Sequence, residues 1–184
     1  MDILNEVKKI HETLVELRRD FHLHPELSMK EYRTATRIEE ELDKLGIEHY
    51  RSAETGVIGL IKGTGKSEPA KNTGADESES NIGHQGSTRE GKDRVVALRA
   101  DIDALPILER DDRAYCSKTE GVMHACGHDV HNASLLGAAI ILANNREKFV
   151  GTVKLIFQPG EEIGAGAQAM IANGEVKGVE RIFG

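Results

Sequence analysis

Three short clusters of ionisable residues in this chain of 184 residues have the side chains that metal chemistry requires. They are Asp101-Ile102-Asp103, the segment from His124 to His131, and Glu161-Glu162. The second cluster holds three histidines and one cysteine within eight residues. Imidazole and thiolate are good ligands for zinc and its neighbours, while carboxylates suit harder ions such as manganese. Together the clusters predict a site for divalent metal.

Each cluster also has a purely structural interpretation. Adjacent acids after Pro-Gly are commonly a solvated turn or the first turn of a helix, and an Asp that follows a strand is commonly a helix cap. For Glu161-Glu162 or Asp103 alone, these interpretations are at least as good as a functional one. The second cluster is different, because it brings together His124, Cys126, His128 and His131. That concentration favours metal binding over a structural role.

The mixture of ligand types indicates a catalytic site rather than a closed structural one. The chain has no paired Cys-x-x-Cys of the kind found in zinc fingers. Cys126 and His128 are separated only by Gly127, so in a loop both side chains can point the same way. Glu161 and Glu162 point in different directions, which leaves one to bind metal and the other to take a proton from water. This arrangement predicts metal-assisted hydrolysis.

Hydrophobic patterning predicts the elements that position these clusters. Strands are expected at 57–61, 95–98, 153–157 and 179–183, and helices at 3–21, 28–45, 132–144 and 165–173. The second helix is expected to start at a capping box of Ser28 and Glu31 and to stop at Gly46. Strands that alternate with helices indicate an α/β sheet, whose ligand sites gather at the C-terminal strand ends. The first and third clusters directly follow two of the predicted strands.

The composition changes sharply between Lys66 and Asp93. The only aliphatic residues there are Ala70, Ala75 and Ile82, so the stretch cannot bury enough apolar area to offset its ordering entropy. It is either a disordered surface loop between two strands or a domain linker. We prefer the loop, because too little chain precedes it to form a separate domain.

Overall composition excludes several classes of function. The chain has 31 acidic and 24 basic residues, a net charge of −7 and few aromatic residues, which is a poor basis for binding nucleic acid. It has no apolar run long enough to span a bilayer and no signal-peptide pattern at its start. Cys116 and Cys126 do not suggest a disulfide framework. These features predict a cytoplasmic protein.

Four segments, in this order, resemble the M20 metallopeptidase family. They are RRDFHLHPEL (18–27), LRADIDALP (98–106), MHACGHDVH (123–131) and FQPGEE (157–162). The most similar branch contains N-acyl-amino-acid amidohydrolases, hippurate hydrolases and auxin-conjugate hydrolases. The resemblance implies a zinc-exopeptidase-like catalytic domain, with helices flanking a mixed sheet, truncated before the lid and dimerisation domain. Residues 1–184 would be the N-terminal part of that domain.

The same resemblance implies roles for particular residues. Cys126, His128 and Glu162 would be metal ligands, and Glu161 would be the general base and acid. Asp103 would be an acid that contacts the ligands rather than the metals. The site would hold two divalent ions, with zinc, manganese, cobalt and nickel all open. The family completes its ligand set with two further histidines, which lie outside these 184 residues.

The expected activity is hydrolysis of the amide bond of N-acyl amino acids by the full-length parent, with a small-molecule substrate and no nucleic acid or membrane partner. The lid domain of the family serves for dimerisation, so a homodimer is the expected state of that parent. The 184-residue chain by itself is expected to be inactive. Two alternatives stay open: an exopeptidase or a deacetylase of an amino-acid intermediate, with the same site, and a non-catalytic truncated product.

Overall fold

The computed structural model describes residues 2–66, 94–110 and 113–184, which form helices on both faces of a mixed sheet. The strands are β1 (Glu48–Ser52), β2 (Gly56–Lys62), β3 (Val95–Asp101), β4 (Thr152–Gln158) and β5 (Arg181–Phe183). The helices are α1 (Ile3–Leu23), α2 (Tyr32–Lys44), α3 (His128–Ala143) and α4 (Ala165–Ala172), with a short 3₁₀ turn at Arg146–Lys148. No helix in the described ranges is both long and apolar enough to cross a bilayer.

The sheet has the order β1-β2-β4-β3-β5. β1 and β2 are antiparallel, and so are β2 and β4. β3 runs parallel to both β4 and β5. The central strand β4 is therefore antiparallel to one neighbour and parallel to the other, so its C-terminal end lies beside that of β3.

Side chains of β2 and β4 alternate between two hydrophobic cores. Val57, Leu155 and Phe157 belong to the larger core, which they share with the buried faces of α1, α2 and α3. Ile58 and Ile156 point the other way, into a smaller core with Met170 of α4. Because both faces of the central strands are covered, these strands are apolar on both sides.

Most predicted elements are present. Asp2 caps α1, with its carboxylate accepting from the Asn5 amide. Gly46 takes the expected left-handed conformation after α2, with φ of +58°. β1 was not predicted, because its sequence EHYRS is polar and only Ser52 is buried.

Two local expectations were wrong, and both differences concern the site. α2 starts at Tyr32 and Glu31 makes no side-chain bond to it, so Ser28 and Glu31 do not form a capping box. The Ser28 hydroxyl instead donates to Asp103 Oδ2 at 2.7 Å. The buried helix α3 begins at His128, four residues before the predicted start. His128 thus lies in the first turn of a helix rather than in a loop.

Replacing the polar segment is expected to leave the fold intact. Residues 67–93, nearly all of the predicted loop at 66–93, lie outside the described residues. Lys62 of β2 and Val95 of β3 both pair with Thr152 of β4, which puts them two strand spacings or about 10 Å apart. A short Gly-containing linker can span that gap, and loop length affects stability only logarithmically. Thermal unfolding should show a change in Tm of only a few degrees; a large loss would show that the segment packs on the core.

Candidate metal centre

The ends of β3 and β4 bring two of the acidic clusters to one edge of the sheet. The strands are parallel and in register, with Asp101 opposite Gln158. The Ile102 amide extends this pairing by donating to the Gln158 carbonyl at 3.1 Å. The segments that carry Asp103 and Glu162 therefore leave the same edge side by side.

A third segment reaches this edge through the start of α3. Leu105 and Met123 form an antiparallel bridge, which lays the segment before α3 beside the one that follows β3. Gly127 then turns the chain into the helix with φ of +85°, a conformation that glycine adopts without a steric penalty. This turn puts Cys126 just outside the helix and His128 in its first turn.

The three predicted metal ligands converge. Each of Cys126, His128 and Glu162 contributes one potential ligand atom, and these three atoms all lie within 4.8 Å of one another. Cys126 is exposed and His128 is buried. Glu162 Oε1 is buried and has no hydrogen-bond partner among the described residues, an arrangement that costs free energy unless something else satisfies the oxygen. A divalent cation would do so, and the sulfur, nitrogen and oxygen donors suit zinc and its neighbours.

Negative charge is concentrated around one nitrogen of His128. Asp101 Oδ2 lies 3.7 Å from His128 Nε2, and carboxylate oxygens of Glu161 and Glu162 each lie 3.8 Å from it. The Glu161 side chain is 42% exposed and that of Glu162 is 17% exposed. Glu162 is therefore turned inward, and Glu161 remains accessible to solvent.

Asp103 holds two of these residues in place. His128 Nδ1 lies 2.9 Å from its carbonyl oxygen and 3.2 Å from Oδ1. Asp103 Oδ2 accepts from the Glu162 amide at 3.0 Å and from the Ser28 hydroxyl. Burial opposes ionisation, but these hydrogen bonds outweigh it and keep the pKa of Asp103 below its usual range. The contact orients the His128 ring so that Nδ1 faces Asp103 and Nε2 faces the cluster of acids.

The pKa values of two candidate ligands are raised. The neighbouring Glu162 carboxylate raises the pKa of Cys126 to about 11. Burial lowers the pKa of His128, but its hydrogen bond to Asp103 and the charge of Asp101 outweigh that and raise the pKa to about 9. At pH 7, before any ion binds, Cys126 is therefore a neutral thiol and His128 carries a proton on both ring nitrogens.

Metal binding at pH 7 is expected to release about two protons per ion, because a ligand thiol and a ligand imidazole nitrogen must both be deprotonated. Calorimetric titration of zinc in buffers with different ionisation enthalpies measures this number. Cys126→Ser is the control and should reduce the number to about one. Absence of proton release would exclude Cys126 and His128 as ligands.

Asp101 and His131 both belong to the clusters singled out in the sequence, but neither was assigned a role as a metal ligand. His131, the fourth member of the second cluster, lies with Nδ1 2.7 Å from Asp101 Oδ1 and stacks on His128. Asp101, His128 and His131 form a second group of side chains able to bind a metal ion. The sequence contained a signal for this second group, because Asp101 follows a predicted strand and His131 follows His128 by three residues, which is one helix face.

Behind the site, Asp129 joins α1 to the first turn of α3. Its carboxylate is fully buried, with Oδ2 2.9 Å from Arg18 Nε and 2.7 Å from His22 Nδ1. Glu109 Oε1 lies 3.0 Å from the other His22 nitrogen. His124 is also buried, and its ring nitrogens have no hydrogen-bond partner in the described part of the chain. Burial lowers the pKa of His124 to about 4, and this ring lies outside the cluster of candidate ligands.

Comparisons with known proteins show the family to which this chain is similar. Residues 97–184 match the model of Peptidase family M20/M25/M40. Over 98% of its own residues, the chain is 42% identical to thermostable carboxypeptidase 1 of Saccharolobus solfataricus. Over 96% of its residues, it is 42% identical to N-acetylcysteine deacetylase of Bacillus subtilis. It covers 40% of each of these relatives.

A solved structure has the same fold. The chain resembles YXEP of Bacillus subtilis, described as a dinuclear metal binding peptidase of the M20 family, with a TM-score of 0.79 and 41% identity. The match covers 96% of this chain and 43% of the other. The predicted fold class, an α/β catalytic domain with helices flanking a mixed sheet, is confirmed.

Proposed function

Because the chain belongs to peptidase family M20/M25/M40, we propose that it forms the N-terminal part of a catalytic domain that hydrolyses the amide bond of N-acyl amino acids. One observation carries the proposal: two adjacent glutamates at the end of β4 face different surroundings. Both carboxylates lie 3.8 Å from His128 Nε2, but Glu162 is largely buried and grouped with Cys126, whereas Glu161 is more exposed. The chain spans about 40% of the length of its relatives, so the proposed activity is that of an enzyme restored to their length.

Cys126, His128 and Glu162 would hold divalent metal, with Asp103 orienting His128. The similarity to a dinuclear peptidase supports two ions, with zinc, manganese, cobalt and nickel as candidates. When bound, such ions polarise the amide carbonyl and make water acidic enough to act as a nucleophile near neutral pH. The buried Glu162 Oε1 has no hydrogen bond within the described ranges, so a cation there would satisfy it.

Glu161 would move the proton. Its carboxylate accepts a proton from the water whose oxygen attacks the amide carbonyl carbon. It then donates that proton to the nitrogen that leaves as the carbon–nitrogen bond breaks, so that a carboxylic acid and a free amine result. Its partial exposure gives both water and substrate access.

The names of two relatives point to different substrates with the same site. A relative called N-acetylcysteine deacetylase supports an acyl group on an amino acid nitrogen. A relative called thermostable carboxypeptidase supports a peptide instead. We propose the N-acyl amino acid as the substrate, and peptide cleavage from the carboxyl end as the second candidate.

A substrate panel tests this proposal. The enzyme restored to the length of its relatives is loaded with zinc or manganese and given N-acetyl amino acids and unblocked dipeptides. Release of free amino acid is measured with and without a chelator. We expect faster release from the N-acetyl amino acids, and loss of activity with the chelator. Faster cleavage of the dipeptides would favour the exopeptidase, and no activity on either would contradict the proposal.

A further inference from the structure

Glu31 is a completely buried acid whose hydrogen bonds point away from its own helix. It precedes the first residue of α2 but makes no side-chain cap bond to that helix. Its Oε1 accepts from the amides of Met29 and Gly160, both at 2.9 Å, and its Oε2 accepts from the Thr55 hydroxyl. Gly160 immediately precedes Glu161-Glu162.

A helix cap does not account for this residue. Glu26 already caps α2, since its two oxygens accept from the Arg33 and Thr34 amides at 3.0 and 2.8 Å. Burial raises the pKa of Glu31, and no ion pair offsets that cost within the described residues. A buried carboxylate is tolerated only when hydrogen-bond donors satisfy it. One of the donors to Glu31 is the backbone amide of Gly160, in the Pro159-Gly160 turn.

The turn is also confined sterically. A Cβ atom at Gly56 would lie 2.8 Å from the Pro159 ring, and one at Gly166 would lie 1.6 Å from the Pro159 carbonyl oxygen. Gly160 has φ of +57°, and a Cβ there would meet the Met29 sulfur at 2.8 Å. These contacts limit where the turn can go. The hydrogen bond that the Gly160 amide donates to Glu31 Oε1 also orients the peptide plane between Pro159 and Gly160.

We propose that Glu31 is a positioning residue: by holding the Gly160 amide it fixes the direction in which Glu161 and Glu162 leave the edge of the sheet. The roles of those two glutamates rest on the proposed function. The effect of Glu31 on the turn does not, so the two ideas can be tested separately.

Three variants of the 184-residue chain form the test. Glu31→Leu keeps most of the volume and removes the acceptors. Glu31→Gln keeps one acceptor for the two amides and offers its NH₂ group to the Thr55 oxygen, so it should rescue. Glu26→Leu is the matched control, because Glu26 is another carboxylate that accepts from two backbone amides. Its two donors lie in α2, and it makes no hydrogen bond to the turn. The readout is amide hydrogen exchange of residues 160–164, which needs neither metal nor substrate.

We expect amide exchange of residues 160–164 to be about 10- to 100-fold faster in Glu31→Leu, the usual effect of removing the partner of a buried donor. Glu31→Gln should resemble the unaltered chain, and Glu26→Leu should change α2 but not the turn. In the restored enzyme, Glu31→Leu should lower kcat more than it raises KM. If the Leu variant does not fold, Thr55→Val, which removes one donor to Glu31, should still speed exchange of the turn by about 3- to 10-fold.

Equal amide exchange of residues 160–164 in Glu31→Leu and in Glu26→Leu would overturn the proposal, whatever the activity. Faster exchange in Glu31→Leu together with an inactive unaltered enzyme would support the positioning role and reject the proposed function. Failure of Glu31→Gln to restore slow exchange would also count against the positioning role, since hydrogen bonding would then not be what holds the turn.

Discussion

We expect Glu161→Gln to lower turnover by roughly 10²–10⁴-fold in an enzyme restored to the length of its relatives, or by more because both proton transfers depend on it. The amide keeps the shape of the side chain but cannot accept the proton from water. Metal content should barely change, because Glu161 belongs to neither group of potential metal ligands found among the described residues. The expected signature is therefore a fully loaded enzyme that does not turn over.

Glu162→Gln is the matched comparison, because it makes the same chemical change one residue away. A neutral amide is a poor ligand for a divalent ion, so metal occupancy should fall, and activity should fall with it. Added metal should restore part of the activity of Glu162→Gln and none of that of Glu161→Gln.

Metal stoichiometry and release of free amino acid from an N-acetyl amino acid, measured on both variants, separate the two roles. If Glu161→Gln lost the metal and Glu162→Gln kept it, the two assignments would have to be exchanged. If neither change affected turnover, the proton would move through another group, and Asp101 would be the next to test because it also faces His128 Nε2.

The arrangement of the site follows largely from strand order and residue type. A buried strand that ends in acids, followed by a second one that does the same, predicts a shared edge when the strands are parallel. β3 and β4 meet that condition, so Asp103 and Glu162 could be placed together from their positions in the sequence. Their contact through the Glu162 amide required the structure.

Contacts between distant segments could not be predicted in this way. Ser28 and Glu31 have the spacing of a capping box, and local pattern alone favoured that use. In the folded chain both side chains contact segments far away in the sequence, at Asp103 and Gly160. The early start of α3 has a similar origin, because Asp129 in its first turn is held by Arg18 and His22 of α1. Tertiary contacts outweighed local preference at each of these positions.

Asp103→Asn is expected to weaken metal binding by about 10- to 100-fold, the usual effect of changing a residue that orients a ligand. Asp103 Oδ2 accepts from two donors, the Ser28 hydroxyl and the Glu162 amide. An asparagine NH₂ group in the place of Oδ2 would face the Glu162 amide N–H, which can only donate a hydrogen bond. If the asparagine turns the other way, its NH₂ group faces His128 Nδ1, which is itself a donor when Nε2 binds metal. Neither orientation satisfies both ligands.

Cobalt titration of the 184-residue chain in competition with a chelator measures this effect without requiring turnover. Asp43→Asn, on the exposed end of α2, controls for the loss of one negative charge from the chain and should leave affinity unchanged. Ser28→Ala removes one donor but leaves both acceptor oxygens of Asp103, so its effect should be much smaller than that of Asp103→Asn. An affinity equal to that of Asp43→Asn would mean that His128 and Glu162 hold their positions without Asp103, and that its hydrogen bonds serve the fold alone.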